Sequence, residues 1–245
     1  AHPGGGFVIG GANGSANGVE RAWILRLDEN GKSLWERLLG GDKAQRVNGI
    51  TVLPDGGITA AGVLHTSRTQ YPWAARLNAD GNVLWEHTFS YAANMRLSSI
   101  AQLEDGEFAI AGMSYATAER PSRNDAWVMR LDADGKVIWE RTFGGDGDDE
   151  ASSVTAMPDG GLVFAGAWDF MDALVVRLDR EGKVLWERRF EARPSHNVVT
   201  SMAVSAYGDI TVVGHVLEGN DSSVWTARLK GAPGTEGRPL RLDRV

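Results

Sequence analysis

A repeated unit of about 50 residues constrains this chain more than any other feature. Its marker, an Arg-Leu dipeptide, begins at positions 26, 76, 130, 177 and 228, so successive copies are separated by 50, 54, 47 and 51 residues. A repeat of this length cannot bury its apolar face alone and must stack on its neighbours. The sequence therefore predicts one domain over residues 1–245, with approximate units at 1–45, 46–96, 97–150, 151–196 and 197–245.

The cleanest copy, residues 125–166, predicts four short strands. Alternating or wholly apolar segments are expected to form strands at residues 126–131, 136–143, 152–157 and 162–165. Asp-Ala-Asp-Gly and Pro-Asp-Gly-Gly lie between them and tolerate tight-turn conformations. Four short antiparallel strands with turns every 8 to 12 residues are typical of a propeller blade.

The first and last copies depart from the pattern. GGGFVIGG near the N-terminus matches the second strand of a blade, and nothing ahead of it matches the first. In the last copy, Leu242 and Asp243 stand where tryptophan and glutamate are expected. We predict an all-β, five-bladed β-propeller of four-stranded antiparallel blades, with the innermost strand of the first blade absent. Three explanations of this absence agree with the sequence. Residues ahead of Ala1 were removed, the chain is part of a larger ring, or the first blade has only three strands.

Composition excludes several functional classes. The net charge is −7, with 25 Lys and Arg against 32 Asp and Glu and no basic run, which argues against nucleic acid and anionic membranes as partners. The chain has no cysteine, and no apolar run approaches the ~20 residues of a membrane span. The start at Ala1 without methionine suggests a processed or trimmed end, so we expect a secreted, periplasmic or cell-surface protein.

The repeat resembles a bacterial and archaeal propeller family with the consensus Asp-x-Trp, Leu-Asp-x-x-Gly, Trp, Phe-Gly-Gly and Asp-Gly-Gly. The match is best at residues 125–127, 143–145, 151–154 and 159–161 and extends over essentially the whole chain. The resemblance implies a propeller fold and an exported or surface location.

Two sets of recurring residues are interpreted as structural. Tryptophan recurs at positions 35, 85, 139 and 186, where we expect it to pack between neighbouring sheets. Arginine and glutamate recur together, as Arg26 with Glu36 and Arg130 with Glu140, which predicts a repeated ion pair.

The remaining signal lies in the connections that vary between copies. In an up-and-down blade these emerge on one face and the tight turns on the other, and function belongs to the variable face. Aromatic, histidine and arginine side chains concentrate there. The candidate ligand-binding residues are His65, Tyr71, Tyr91, Tyr115, Trp168, Phe170, His196, His215, Arg46, Arg96 and Arg123.

One connection is strongly acidic. Asp146, Asp148, Asp149 and Glu150 offer hard oxygen ligands for Ca²⁺, although the corresponding segments of the other copies lack this charge. We expect no other cofactor. The three histidines of the variable face have no pairwise spacing that would support a zinc site.

No catalytic motif is present: the chain lacks a nucleophile elbow, a P-loop and a dinucleotide fingerprint. The leading interpretation is a non-catalytic, lectin-like binding module for a protein partner or a surface glycan. A polysaccharide hydrolase or lyase using Asp148, Asp149, Glu150 and His196 is one alternative. A structural subunit of a larger assembly, with the missing strand supplied by a neighbour, is the other.

Overall fold

The protein is an all-β propeller of five blades. The computed structural model describes residues 2–14, 19–66, 69–89, 95–115, 123–191, 196–218, 221–230 and 243–244. These residues form five antiparallel sheets, of which the first has three strands and each of the others has four. The predicted fold is therefore confirmed, including the missing innermost strand of the first blade. The predicted unit boundaries stay a prediction.

Each sheet is made of consecutive strands. The first contains β1 (Phe7–Gly14), β2 (Glu20–Leu27) and β3 (Ser33–Leu39), and the second contains β4 (Ala44–Val52), β5 (Ile58–His65), β6 (Gln70–Leu77) and β7 (Val83–Thr88). The third contains β8 (Met95–Gln102), β9 (Phe108–Ser114), β10 (Asp125–Leu131) and β11 (Val137–Phe143). The fourth contains β12 (Glu150–Ala156), β13 (Leu162–Trp168), β14 (Asp172–Leu178) and β15 (Val184–Phe190). The fifth contains β16 (His196–Val204), β17 (Ile210–Glu218), β18 (Asp221–Leu229) and β19 (Asp243–Arg244).

The tight turns form as the sequence predicts. In the turn between β2 and β3, Asp28 Oδ1 accepts hydrogen bonds from the backbone N–H groups of Asn30 at 2.9 Å and Lys32 at 2.8 Å. The same pattern recurs around Asn78, Asp132 and Asp179. An Asp or Asn side chain that satisfies two backbone donors fixes the hairpin, which explains why this residue opens each of these turns.

The sheets stack face to face in chain order. Four apolar clusters lie between the first and second, second and third, third and fourth, and fourth and fifth sheets. The innermost strands β4, β8, β12 and β16 contact one another in sequence. Among the described strands, no substantial contact joins the fifth sheet to the first.

The expected packing of the repeated tryptophans between neighbouring sheets is confirmed, because Trp35, Trp85, Trp139 and Trp186 each border the apolar cluster between their own sheet and the next. Trp35, Trp85 and Trp139 each donate their indole N–H to a backbone carbonyl of the following sheet, at 3.1, 3.0 and 2.9 Å. Each indole therefore packs against the next blade and satisfies its only polar atom there.

The predicted Arg–Glu ion pair is wrong. Arg130 lies opposite Trp139, whereas Glu140 lies opposite Met129, so the arginine and the glutamate project from opposite faces of the sheet. Arg130 instead binds Glu107, and Arg26 binds backbone carbonyls and His2.

In the part of the chain that the structure describes, no helix is long and apolar enough to cross a membrane.

Candidate functional site

The two kinds of variable connection meet on one face around the third to fifth sheets. The backbone N–H of Asp149 donates to the carbonyl of Asn124 at 2.8 Å, and that of Phe170 donates to the carbonyl of Asp148 at 2.9 Å. Asn197 N–H donates to the carbonyl of Met171 at 2.9 Å. The hairpin loops within the third and fourth sheets are thus hydrogen-bonded to the segments that link consecutive sheets. We call residues 123–125, 144–149, 168–172 and 196–197 the loop face.

The most unusual element of the loop face is the three-residue connection, residues 169–171, between β13 and β14. Asp169 and Phe170 both have positive φ, 51° and 55°, and Met171 N–H donates to the carbonyl of Trp168 at 3.1 Å. This geometry corresponds to a type I′ turn, whose second central position is usually glycine. A left-handed conformation costs an L-residue roughly 1–2 kcal/mol. Phe170 is nevertheless 49% exposed.

Neighbouring connections hold this turn in place. Asp148 accepts the Phe170 N–H with its carbonyl, and the Nδ1 atom of His196 lies 3.1 Å from the carbonyl oxygen of Phe170. The acidic link therefore contacts the turn from one side, and the start of the fifth sheet contacts it from the other. Phe170 is presented to solvent by a backbone that is fixed at both peptide groups.

Trp168 is partly a packing residue. The guanidinium carbon of Arg189 lies 3.6 Å from its ring centroid, a cation–π distance, and a Cβ atom on Gly145 would approach the ring to 2.5 Å. The indole also borders the apolar cluster between the third and fourth sheets. Its replacement would therefore disturb the loop face as well as remove a half-buried aromatic side chain.

The carboxylates of the acidic connection each have their own partner. Asp146 pairs with Arg123 at 2.7 Å, Asp148 accepts the Asn124 N–H at 2.7 Å, and Glu150 pairs with Arg96. Asp149 accepts the N–H groups of Gly145 and Asp169 at 2.9 and 3.0 Å. Across the described ranges, no group of three His, Asp or Glu residues is arranged to hold a metal ion. The calcium site stays a prediction.

The environment of the Asp149 carboxyl alters its affinity for protons. Burial raises its pKa above the ordinary 3.8. The N–H groups of Gly145 and Asp169 oppose that shift, and the charges of Asp169 and Asp125 reinforce it. Asp149 is buried and bonded to both neighbouring connections, so its role here is to position the loops.

The structure places the other candidate residues apart from this group. Arg46 pairs with Glu20 at 3.0 Å between the second and first sheets, and Tyr71 packs within the first-to-second cluster. His65 ends β5, and His215 lies inside β17 on the same side as Leu217. Tyr115 follows β9 and is half-buried. Tyr91 lies outside the described residues.

Sequence reasoning missed the residues that hold the loop face together. Asn197 is fully buried and donates its side-chain amide to the carbonyl of Phe190 at 2.7 Å, while Arg189 covers Trp168. Asp169 accompanies Phe170 in the left-handed turn. Only the turn left a signal in the sequence, namely a connection too short for an ordinary loop.

A depression of about 510 Å³ is lined mainly by tight turns. Its walls include Pro54, Asp105, Pro158 and Ser205, one from each of the second to fifth sheets. None of the predicted ligand-binding residues lines it. The depression is therefore separate from the loop face.

The family model described as outer membrane protein assembly factor BamB matches residues 20–217. The chain belongs to this β-propeller repeat family. No curated protein matches the chain significantly.

Solved structures show the same fold at low identity. The Neurospora crassa Pan2 WD40 domain is 13% identical with a TM-score of 0.53, covering 91% of this chain and 66% of that one. The NanB sialidase of Streptococcus pneumoniae is 11% identical with a TM-score of 0.52, covering 80% and 32%. A Synechocystis apocarotenoid oxygenase is 12% identical with a TM-score of 0.51, covering 91% and 55%. The chain spans from about one third to two thirds of these proteins.

Proposed function

We propose that this propeller is a non-catalytic protein-interaction module and that the loop face binds its partner. The observation that carries the proposal is Phe170, a large apolar side chain held in solvent by a left-handed turn. Strained backbone conformations cluster at functional sites, where the surrounding structure holds them in place. Exposed aromatic residues with arginines nearby are the groups that anchor protein interfaces.

The surroundings of Phe170 support a protein partner over a glycan. Trp168 is the only other aromatic residue among the described residues of the loop face, and Arg189 already covers its ring. A stacking platform for a sugar needs an accessible ring face, whereas a protein pocket can enclose the single Phe170 side chain. The match to the BamB family, whose description names an assembly factor, agrees with a protein partner.

A Phe170→Gly variant tests the proposal without damaging the fold. Glycine adopts positive φ without strain, so the midpoint of thermal unfolding should be unchanged or higher. Loss of the phenyl ring should weaken partner binding at least tenfold, as expected for an interface anchor. The measurement is capture of proteins from a cell-envelope extract on immobilised protein, followed by affinity measurement on the captured protein.

Tyr207→Ser is the matched control. Tyr207 is 93% exposed in a tight turn of the fifth sheet, away from the loop face, so this variant should bind like the parent protein. Equal binding by the Phe170→Gly variant and the parent would reject the site. Binding of an oligosaccharide, with no captured protein, would favour the glycan alternative.

We also propose that the protein works outside the cytoplasm, in the periplasm, at the cell surface or as a secreted protein. The family match supports this location. Fractionation of the producing cells checks it, and recovery of the native protein only with cytoplasmic markers would contradict it.

A further inference from the structure

The innermost strands of four sheets end in turns of one design around the depression of about 510 Å³. In each of these inner turns, one residue donates its N–H to the carbonyl four residues later, at 2.8–3.0 Å, and these donors are Leu53, Leu103, Met157 and Ser205. The residues that follow the donors occupy equivalent positions and all line the depression: Pro54, Glu104, Pro158 and Ala206. The volume lies within the range of ligand pockets.

The depression combines an apolar lining with one carboxylate. Three of the four equivalent positions carry proline or alanine, and only Glu104 is charged. Leu103 and Met157 lie beneath these residues and are 4% and 3% exposed, and Val204 adds a further aliphatic side chain to the wall. The lining therefore suits a ligand that has both an apolar part and a positive charge.

The carboxylate of Glu104 extends towards the neighbouring sheet. Its Oε2 atom lies 3.7 Å from the position that a Cβ atom on Gly160 would occupy, in the inner turn of the fourth sheet. The side chain is exposed, as are those of Pro54 and Pro158. A ligand in the depression can therefore reach the carboxylate and both prolines from solvent.

Glu104 differs from the other acids of the inner turns in having no basic partner. Among the described residues, no arginine, lysine or histidine forms an ion pair with it. Each of the others pairs with an arginine: Asp55 with Arg76, Asp105 with Arg180, Glu107 with Arg130, Asp159 with Arg177 and Asp209 with Arg228. The negative charge of Glu104 is thus the one that these turns leave uncompensated within the described chain.

We propose that the depression binds an arginine side chain carried by an extended peptide segment of a partner protein. The guanidinium pairs with the Glu104 carboxylate, because its planar fork matches the two carboxylate oxygens. The methylene groups of the arginine pack against Pro54, Pro158 and Met157, as long basic side chains do on apolar surfaces. The site lies outside the loop face and is independent of the interaction proposed there.

Charge complementarity favours this occupant over other ligand classes. An anionic ligand would meet the unpaired Glu104 carboxylate, and the whole chain carries a net charge of −7. A purely apolar ligand would remove that carboxylate from water without offering it a partner, which is unfavourable. A guanidinium group on an aliphatic stem satisfies both the carboxylate and the apolar lining.

The experiment uses the full chain, labelled with ¹⁵N, and the peptide Gly-Gly-Arg-Gly-Gly with an acetylated N-terminus and an amidated C-terminus. The guanidinium is then the only charge of the peptide. One side chain supplies a small contact, so we expect a Kd of about 1 mM. The amide signals of Gly106 and Ser205 should shift in a saturable way, while those of Asp149 and Phe170 on the loop face stay unchanged.

A peptide with citrulline in place of arginine is the ligand control. Citrulline has nearly the same shape but carries no charge, so this peptide should bind at least tenfold more weakly. Equal shifts with the two peptides would overturn the proposal, because binding would then not depend on the charge.

A Glu104→Gln variant should also weaken binding of the arginine peptide at least tenfold, because it removes the charge and keeps the shape of the side chain. Its midpoint of thermal unfolding should be unchanged, since Glu104 is exposed and has no ion-pair partner among the described residues. Glu29→Gln is the matched control: Glu29 is exposed in the tight turn between β2 and β3 and does not line the depression. This variant should bind the peptide normally.

Three results would overturn the proposal. They are unshifted Gly106 and Ser205 signals at the solubility limit of the arginine peptide, undiminished binding by Glu104→Gln, and shifts at Asp149 and Phe170 in place of those at the depression. The Phe170→Gly variant should bind the peptide like the parent chain. Failure of the loop face as a partner site and failure of the depression as an arginine site are therefore distinguishable.

Discussion

The buried arginines show how single residues connect the inner turns to the strands. Arg177 donates to the carbonyl of Leu162 at 2.9 Å, to that of Leu178, and to the carboxylate of Asp159 in the turn before β13. Its side chain is only 3% exposed, whereas that of Asp159 is 68% exposed. The arginine thus satisfies its charge through one acid at the surface and carbonyls in the interior.

We expect Asp159→Asn to destabilise the protein by about 1 kcal/mol at neutral pH, a value reduced because Asp159 is largely exposed to solvent. Burial raises the Asp159 pKa, but the hydrogen bond and charge of Arg177 outweigh it, and the net pKa lies below 3.8. A lowered pKa stabilises the folded state above the ordinary pKa, and this contribution is lost as pH falls through the lowered one. Urea unfolding of both proteins at about pH 7 and about pH 3 measures the effect.

The difference in the free energy of unfolding between the parent protein and Asp159→Asn should therefore shrink as the pH falls below 3.8. Asp134→Asn is the control, because Asp134 is exposed and lies 3.9 Å from the exposed Lys136. It should change the free energy of unfolding little at either pH. A difference for Asp159→Asn that grows with falling pH would contradict the assignment of its pKa to Arg177.

At the scale of strands and turns, the same hairpin turn occurs in two environments. Gly31 and Gly81 have nearly identical φ angles, 79° and 78°, but only Gly81 lies under an indole. Alanine at either position pays for its positive φ, by about 1 kcal/mol. Gly81→Ala must also displace the Trp35 ring, which should add about 1–3 kcal/mol. Denaturant unfolding of the two variants gives the comparison directly.

Equal destabilisation by Gly31→Ala and Gly81→Ala would show that the indole contact contributes nothing to the stacking of the sheets. A larger effect at Gly81 would measure what one occupied junction contributes.

The strands and tight turns were predictable because their signals are local. Apolar alternation places each strand, and an Asp or Asn followed by glycine places each turn, so the five sheets follow from the sequence. The ion pairs were not predictable, since Glu140 and Arg130 recur together but project from opposite faces through the register of β10 and β11. Spacing within one strand does not reveal the partner across the sheet.

The candidate site was predictable only as a set of variable connections. Phe170 and His196 are far apart in sequence, and their contact depends on how the fourth and fifth sheets stack. The left-handed turn at Phe170 contradicts local preference, because phenylalanine occupies a position that favours glycine. His215 was expected in a loop, but β17 continues through it, since its pairing with β18 extends to Glu218.

For the whole molecule, stacking in chain order predicts a gradient of local stability. The second, third and fourth sheets have apolar clusters on both faces, whereas the first and fifth sheets each border only one of the four clusters. In repeat architectures, stability is approximately a sum of repeat and neighbour terms, so sheets with one neighbour open more easily. Amide hydrogen exchange should therefore be slowest in β5, β6, β9, β10, β13 and β14 and faster in β1, β2, β17 and β18.

Exchange measured by NMR or mass spectrometry at neutral pH tests this gradient. Opening of an end sheet breaks one interface and opening of a central sheet breaks two, so protection should differ by at least tenfold, or about 1.4 kcal/mol. Uniform protection across all five sheets would mean that the end faces are covered in solution.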